Sequence, residues 1–483
     1  MHAETRPMNH SIKNLCIYHV LDGLAEGLSH YSGPSRAALL YAEKPDDKVH
    51  VCDPQRLLEG HEPVLKKLYV TSDGWRREAP STLNFKLFGQ IYPEKNLQLA
   101  GLISFGGRTQ SIFYQMWFTE HHPDMCSIGP TERWLEHAVC LLAHDFANED
   151  AFYTRNSRYV LREYATHAVR DFIRDDLNIK FGWDTSMEVY PILDTILGVS
   201  KTREEGAWPR GLLAFVEPDS LPEMHFLIRF PSVDVLKVNN YKHVRKLLLA
   251  VENSDRKLVS DGRKIIGVVS GELPQCRITA DFRGGHGFLR FAGELVCSFS
   301  DGSFHSTTRK SNLVHLEELL VTSSLDPAVS SLLFKIVSCI VEAAGEQKHG
   351  CSLVIDFNDP PVQISGQQLE RPVDLQHEQY LELAKSLARV DGALHICSDL
   401  HLHGFACLLD GRFIKTEDRA RGARFNSALR FTSENPNLIV VVVSSDRPVS
   451  VIQGGALLNP PSEWEPFSLF VTPPPTLEEW LRR

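Results

Sequence analysis

Apolar residues recur along this chain at two spacings, and the switches between them mark its elements. Between 129 and 177 they fall three and four apart: Trp134, Leu135, Ala138, Leu142 and Phe146 after a capping Thr131, then Leu161, Tyr164, Ala168 and Phe172. That period places them on one face and predicts two helices. Arg158, Arg162, Glu163 and Arg170 read as the solvated side of the second helix, with phosphate binding as the alternative. Residues 242–251 predict a shorter helix with Val244, Leu247, Leu248 and Val251 inward. Residues 326–345 predict a strong one. Asp326 stands as N-cap, and Pro327 sits at the first position, where its missing N–H costs nothing. Val329, Leu332, Leu333, Ile336, Val337 and Ile340 form its wide apolar face.

Elsewhere the apolar runs are short and end in turn residues, which predicts strands. Tyr69-Val70 precedes Ser72-Asp73-Gly74, Leu97 to Phe105 precedes Gly106-Gly107, and Met224 to Phe230 reads as a strand. Ser260-Asp261-Gly262 before Ile265 to Val269, and Ser300-Asp301-Gly302 after Leu295 to Phe299, are hairpin signals. Gly284-Gly285-His286-Gly287 has strand-like flanks and reads as a tight turn, since a phosphate-cradling loop would open a helix. From 351 onward strand and helix alternate: strand 351–357, helix 377–389, strands 391–397 and 402–409, a helix from about 418 or later, then strands 438–443 and 448–452. The expected fold class is α/β, a C-terminal mixed β-sheet flanked by helices, preceded by an α+β N-terminal region. The expected domains are an α+β region at 1–235, a small β-rich module at 236–312, an α/β domain at 313–456 and a proline-rich tail at 457–483 ending in a short helix at Leu477 to Leu481.

Composition narrows the function classes. With 43% hydrophobic and 23% charged residues, the 483-residue chain reads as ordinary globular protein with about two to four domains. A net charge of −10, from 51 Lys+Arg against 61 Asp+Glu, argues against a general nucleic-acid-binding surface, so clustered arginines read as local sites. No apolar run is expected to approach the ~20 residues of a membrane span. The N-terminus lacks an apolar signal core, so no membrane partner is expected and the cytoplasm is the expected location. Ten cysteines without a CxxC pair read as reduced, buried thiols in place of a zinc set. Glu120-His121-His122-Pro123-Asp124 reads as a loop, because adjacent residues do not converge on a metal as i, i+4 helix pairs do.

Candidate chemistry concentrates between Asp391 and Ser450. Asp391-Gly392-Ala393 leads into an apolar strand; an arginine-rich segment runs from Glu417 to Arg430; Leu438 to Val443 is a buried strand followed by Ser444-Ser445-Asp446. Carboxylates and hydroxyls at strand ends beside arginines and a glycine suit metal-assisted chemistry on a polyphosphate. Asp-Gly alone is a common turn dipeptide, also present at Asp22, Asp73, Asp261, Asp301 and Asp410, so only its distance from the other blocks gives it meaning. Arg419, Arg421 and Arg430 can equally be solvated charges beside Glu417 and Asp418. His395, His401 and His403 alternate; such spacing can bind metal, and a strand with interleaved buried and surface histidines is the simpler reading.

Asp391-Gly392-Ala393 resembles the DGA motif of the diadenylate cyclase (DAC) domain family. Gly422-Ala423-Arg424-Phe425-Asn426-Ser427-Ala428 falls where that family carries Gly-Thr-Arg-His-Arg-x-Ala, and Val443-Ser444-Ser445-Asp446 where it carries Val-Ser-Glu-Glu. Lys348-His349-Gly350-Cys351-Ser352-Leu353-Val354-Ile355 resembles the helix end and first core strand of the same domain. The resemblance covers about residues 325–455 and implies a cyclase that condenses two ATP into cyclic di-AMP with release of pyrophosphate, using Mg2+ or Mn2+, in a homodimer or larger assembly whose domains face each other. By position, the first 310 residues would be a sensory region.

What the resemblance implies for single residues is specific. Asp391 would serve metal and attacking hydroxyl, Arg424 and Ser444 would hold phosphate, and Gly392, Ala393, Gly422, Ala423, Asn426, Ser427 and Ser445 would line the nucleotide site, with Asp446 a second metal ligand. The departures are equally specific. The family's histidine is Phe425, its second arginine is Asn426, its threonine is Ala423, and its Glu-Glu is Ser445-Asp446. Arg419, Arg421 or Lys415 could compensate. The resemblance therefore also accommodates a DAC fold that binds nucleotide without turnover.

Overall fold

The computed structural model describes residues 8–77, 91–122, 125–147, 154–183, 185–231, 236–252, 254–306, 313–323, 325–347, 349–415, 417, 421–444, 449–458, 467 and 471–482. The chain divides into two compact units, 1–308 with 464–483, and 309–463.

The first unit contains two sheets. One is antiparallel and has five strands, β1 (Ala37–Ala42), β2 (His50–Cys52), β3 (Tyr92–Glu94), β4 (Leu102–Arg108) and β5 (Tyr114–Glu120), in the order β2-β1-β5-β4-β3. Strand alternation divides β1 between two cores. Leu39 and Tyr41 pack with residues of α1 (Met8–Ser32) and α4 (Ile128–Ala147), while Ala38, Leu40 and Ala42 face α2 (Glu62–Tyr69) and Trp75 of the short α3 (Gly74–Arg77). The expected strand at Tyr69-Val70 is the end of α2, because Leu65 and Tyr69, four apart, are both buried on one helical face. Gly106 and Gly107 lie inside β4 and not in a turn; a Cβ at either would meet Met116 or Ile91 within 2.6 Å.

The second predicted helix is two helices, α5 (Thr154–Arg162) and α6 (Ala165–Phe181). At the break the Trp134 indole N–H donates to the Leu161 carbonyl at 2.9 Å, and the Tyr164 hydroxyl donates to Asp171 at 2.7 Å. Arg158 and Arg162 pair with Glu26 on α1, and Arg170 with Asp171, so these arginines are spent on ion pairs.

The other sheet has eight strands: β6 (Arg210–Val216), β7 (Phe226–Arg229), β8 (Lys257–Ser260), β9 (Ile265–Val269), β10 (Arg277–Arg283), β11 (Gly287–Phe291), β12 (Glu294–Ser300) and β13 (Ser303–His305). Their order is β13-β12-β11-β10-β6-β8-β9-β7. Helices α7 (Val189–Lys201) and α8 (Tyr241–Leu248) pack on it. The hairpin signals at Asp261-Gly262, Gly284 and Asp301-Gly302 each join neighbouring antiparallel strands. The boundary expected at 235 falls inside this sheet, since the parallel pairing of β6 with β8 ties the segments on either side of it together. The tail does not stand apart: Phe467 N–H donates to buried Asp22, Leu477 N–H to the Val49 carbonyl, and α13 (Leu477–Trp480) seals the face carrying α2. The expected prolines at 460, 461 and 466 lie outside the described residues.

The second unit is a mixed sheet of seven strands: β14 (Cys351–Asp356), β15 (Gln367–Asp374), β16 (Ala393–Cys397), β17 (His401–Cys407), β18 (Leu438–Val443), β19 (Ser450–Gln453) and β20 (Ala456–Leu457). They lie in the order β15-β17-β16-β14-β18-β19-β20, and only β14 and β16 run parallel. Cys351, Leu353, Ile355, Leu394, Ile396, Ile439 and Val441 face α9 (Val314–Thr322), α10 (Pro327–Glu346) and α11 (Glu378–Leu387). Val354, Ala393, Leu438, Val440 and Val442 face α12 (Gly422–Glu434) on the other side. This is the mixed sheet flanked by helices that the alternation predicted.

Asp326 caps α10 as expected, accepting from Ala328 N–H at 2.8 Å. Leu332, counted in its apolar face, is instead exposed, at the rim of a stripe whose buried centre is Leu333, Ile336, Val337 and Ile340. Among the described residues α10 is the one helix long and apolar enough, over the 19 residues Pro327–Gly345, to cross a membrane by length and composition. The expectation that no run approaches that length is therefore corrected. Its buried Leu333, Ile336, Val337, Ile340 and Val341 join residues of α9 and α11 in the core on one side of the sheet.

Candidate nucleotide site

The register of the second unit's sheet assembles the candidate site. Cys351 pairs with Val443, and Ser352 with Ala393, so the starts of β14 and β16 and the end of β18 lie side by side. Gly350, Asp391-Gly392 and Ser444 therefore emerge from the same end of the sheet. Helix α12 begins there too, because Arg424 in its first turn donates from Nη2 to Asp391 Oδ1 at 2.9 Å. Both groups are open to water: the Asp391 side chain is 98% exposed and that of Arg424 47%. An ion pair so exposed contributes little to folding, and its partners separate readily.

Three glycines shape this corner. Gly392 has φ +114, and a Cβ there would lie 2.5 Å from the Ala406 backbone, so the turn into β16 requires its absence. A Cβ at Gly350 would stand 3.0 Å from Arg424 Nη1; the glycine makes room for the guanidinium. Gly422 has φ +75 with open space around it, and leads into the first turn of α12. That turn holds Ala423 and Arg424 and no carboxylate, so the positive end of a 13-residue helix faces the same corner uncompensated by acid.

The structure brings Asp391, Gly392, Gly422, Ala423, Arg424 and Ser444 to one end of the unit. Ala423 is exposed, Ala393 is buried in the sheet, Ser427 is half-buried one turn further along α12, and Asn426 donates from Nδ2 to the Gly422 carbonyl at 3.1 Å. Ser445 and Asp446, expected as nucleotide and metal ligands, lie outside the described residues, as do Lys348 and Arg419. Phe425 does not reach the corner. It is 7% exposed and packs with Val354, Ala393, Ala428 and Leu429, while the Arg421 guanidinium covers its ring at 4.5 Å. Arg430 makes a two-pronged contact with Glu417, at 2.7 and 2.6 Å, and so stands as a partly exposed charge beside that carboxylate and away from the corner.

One neighbour escaped the sequence reading. His349 precedes Gly350, and burial, with Arg389 and Arg424 nearby, lowers its pKa, so the ring is neutral at neutral pH. Both ring nitrogens are buried and lack a hydrogen-bond partner among the described residues. An imidazole offering a donor and an acceptor beside two guanidinium groups is equipped to meet a ligand. Its sequence signal, a histidine between a helix end and a buried strand, is no different from that of a core histidine.

Three segments of the chain match family models. Residues 11–183 match "Probable sensor domain DACND", residues 190–297 match "Probable sensor domain DACNH", and residues 340–457 match "DAC: DisA bacterial checkpoint controller nucleotide-binding". Each segment centres on one sheet, although the eight-stranded sheet runs on past 297 to β13 and the second unit begins before 340. No curated protein matches the chain. Among solved structures, a hypothetical membrane spanning protein from Bacillus cereus is 17% identical, with a TM-score of 0.24, and the match covers 30% of this chain and 68% of that one. DacA from Staphylococcus aureus, solved as a double mutant, is 14% identical with a TM-score of 0.22, covering 32% and 94%. Likenesses this low add nothing to the family match. With its three sequence blocks in order, and sensor-type domains ahead of it, residues 340–457 of this chain are a divergent member of the DAC nucleotide-binding domain family.

Proposed function

We propose that this chain is a diadenylate cyclase, condensing two ATP into cyclic di-AMP under the control of its N-terminal domains. Each ribose 3′-hydroxyl attacks the α-phosphorus of the other nucleotide, the bond from that phosphorus to the bridging oxygen of the β-phosphate breaks, and pyrophosphate leaves twice. The observation that carries this reading is the convergence of Asp391, Arg424 and the acid-free N-terminus of α12 on one end of the sheet. Arg424 and the helix N–H groups suit the triphosphate, Ser444 at the end of β18 adds a hydroxyl, and Asp391 suits the attacking hydroxyl.

A Mg2+ or Mn2+ ion fits this set, since Asp391 supplies the exposed oxygen ligand that hard cations take, with phosphate and water completing the shell. Such an ion would polarise the α-phosphate and offset charge on pyrophosphate. The Asp391 carboxylate is 98% exposed and open to a facing domain. A second domain facing it supplies the other nucleotide, so the active form is a homodimer or larger assembly. Ten free thiols and an ATP substrate suit the cytoplasm.

Burial of Phe425 favours a second reading, nucleotide binding without turnover, because the middle of the arginine block faces the core and not a ligand. Incubating the purified chain with ATP and Mn2+ or Mg2+, with products identified by mass and pyrophosphate quantified, separates the two. Cyclic di-AMP supports the cyclase; tight ATP binding without pyrophosphate release refutes it in favour of the sensor.

A further inference from the structure

The opposite end of the same sheet carries a second set of ligand-type side chains that the nucleotide chemistry does not use. Asp356 and Cys397 each end their strand and are paired in the parallel register of β14 with β16. Val354 and Ala393 pack toward α12, so by strand alternation Asp356, His395 and Cys397 also face that side of the sheet. All three are buried, at 0%, 1% and 2% exposure. Asp399, in the turn after β16, and His403, on β17, join them from the outside.

The geometry is close. His395 Nε2 lies 3.0 Å from Asp356 Oδ2 and 3.6 Å from Cys397 Sγ. His403 Nε2 lies 2.9 Å from Asp399 Oδ2, and the His395 and His403 ring centroids are 6.0 Å apart. Donor atoms of Asp356, His395 and Cys397 all fall within 4.8 Å of one another, as do those of Cys397, Asp399 and His403. Cys397 belongs to both groups. His395 meets Asp356 and Cys397 through Nε2, while its Nδ1 is buried and has no partner among the described residues.

We propose that this cluster binds one divalent transition-metal ion of the zinc class on Cys397, Asp399 and His403, with Asp356 and His395 backing Cys397 from inside. An imidazole, a thiol and a carboxylate are the donor chemistry of zinc; magnesium and calcium take oxygen. The ion would clip the ends of β16 and β17 together. It is distinct in place and chemistry from any cation at Asp391, which lies at the other end of β16. Of the alternating histidines, His401 stays outside, with its Nδ1 2.6 Å from the Asp399 carbonyl oxygen.

The test strips the full-length chain with a chelator, then titrates Zn2+ in competition with a chromophoric chelator and Co2+ as an optical probe. One zinc per chain is expected, with a Kd of about 1 μM or tighter, and cobalt should give a sulfur-to-metal charge-transfer band. Cys397→Ser should abolish that band. His403→Ala, at a partly exposed position that does not endanger the fold, should weaken zinc at least about tenfold. Asp391→Asn should leave zinc binding unchanged. Absence of retained zinc and of the cobalt band overturns the proposal; so does equal zinc affinity in wild type and His403→Ala.

Discussion

Replacing Arg424 by alanine separates a phosphate-holding role from a structural one. The side chain is 47% exposed and its hydrogen bond to Asp391 goes to a carboxylate almost wholly in water. Removing such a pair changes stability by no more than about 1 kcal/mol. A guanidinium on phosphate is another matter, because a charge-assisted hydrogen bond contributes about 1.5–3 kcal/mol, or about ten- to a hundredfold in affinity. Arg424→Ala should therefore weaken ATP binding by that factor with an unchanged denaturation midpoint, and Arg424→Lys should recover only part of it, since a point charge lacks the fork. Gly350→Ala supplies an internal control: its Cβ would stand 3.0 Å from Nη1 and displace the guanidinium. It should weaken ATP in the wild-type background and have no further effect in Arg424→Ala, as contacting residues do in a double-mutant cycle. Calorimetric titration of ATP into wild type, both single variants and the double variant measures this. Equal affinities across the set would refute the phosphate assignment and leave the cyclase reading on Asp391 and Ser444.

Four further outcomes are expected. Asp391→Asn should abolish cyclic di-AMP formation while leaving the thermal midpoint unchanged, because a 98% exposed carboxylate contributes nothing to packing; near-normal product by mass spectrometry would remove Asp391 from the mechanism. Phe425→Ala should destabilise the second unit by about 3–5 kcal/mol, the usual cost of deleting a buried ring, measured by urea denaturation; a silent substitution would show that Phe425 does not hold α12 to the sheet. Gly392→Ala should cost about 1–3 kcal/mol or more in the same assay, since it combines a left-handed φ with a backbone clash. His137 stacks on Tyr164 at 4.2 Å, and burial pushes its pKa from 6.5 down to about 4. The unfolded chain takes up that proton first, so the contribution is intact above pH 6.5 and is lost as pH falls toward 4, by about 3 kcal/mol in full. His137→Gln should flatten denaturation midpoints across that window, and an unchanged slope would refute the assignment.

How much of this was legible in advance depended on whether the signal was local. A helix with a cap and a long apolar face declares itself, and α10 starts where Asp326-Pro327 predicted. The run Leu438 to Val443 is apolar at every position, and it is a strand buried on both faces, between α10 and α12. Hairpins at Asp261-Gly262 and Asp301-Gly302 carry their own turn chemistry. Short runs such as Tyr69-Val70 do not, because two apolar neighbours fit a helix end as well as a strand. The sheet crossing residue 235 could not be read at all, since the pairing of β6 with β8 joins residues more than 40 apart through no local pattern.

The candidate site divides in the same way. Residue types and their spacing along the chain are what put Asp391, Arg424 and Ser444 forward as members of one chemistry, because a motif is a property of sequence. Only the tertiary structure decided what meets what. Register between β14, β16 and β18 put Asp391 and Ser444 at one end of the sheet, and the same register put Asp356 and Cys397 at the other. Helix phase turned Phe425 inward and Arg424 outward, one residue apart. The partners of His395 were invisible for the same reason: Asp356 is 39 residues away, and a parallel pair of strands is what brings a carboxylate within 3.0 Å of that imidazole. Contacts across a sheet are set by long-range pairing and side-chain alternation, which a linear pattern does not encode.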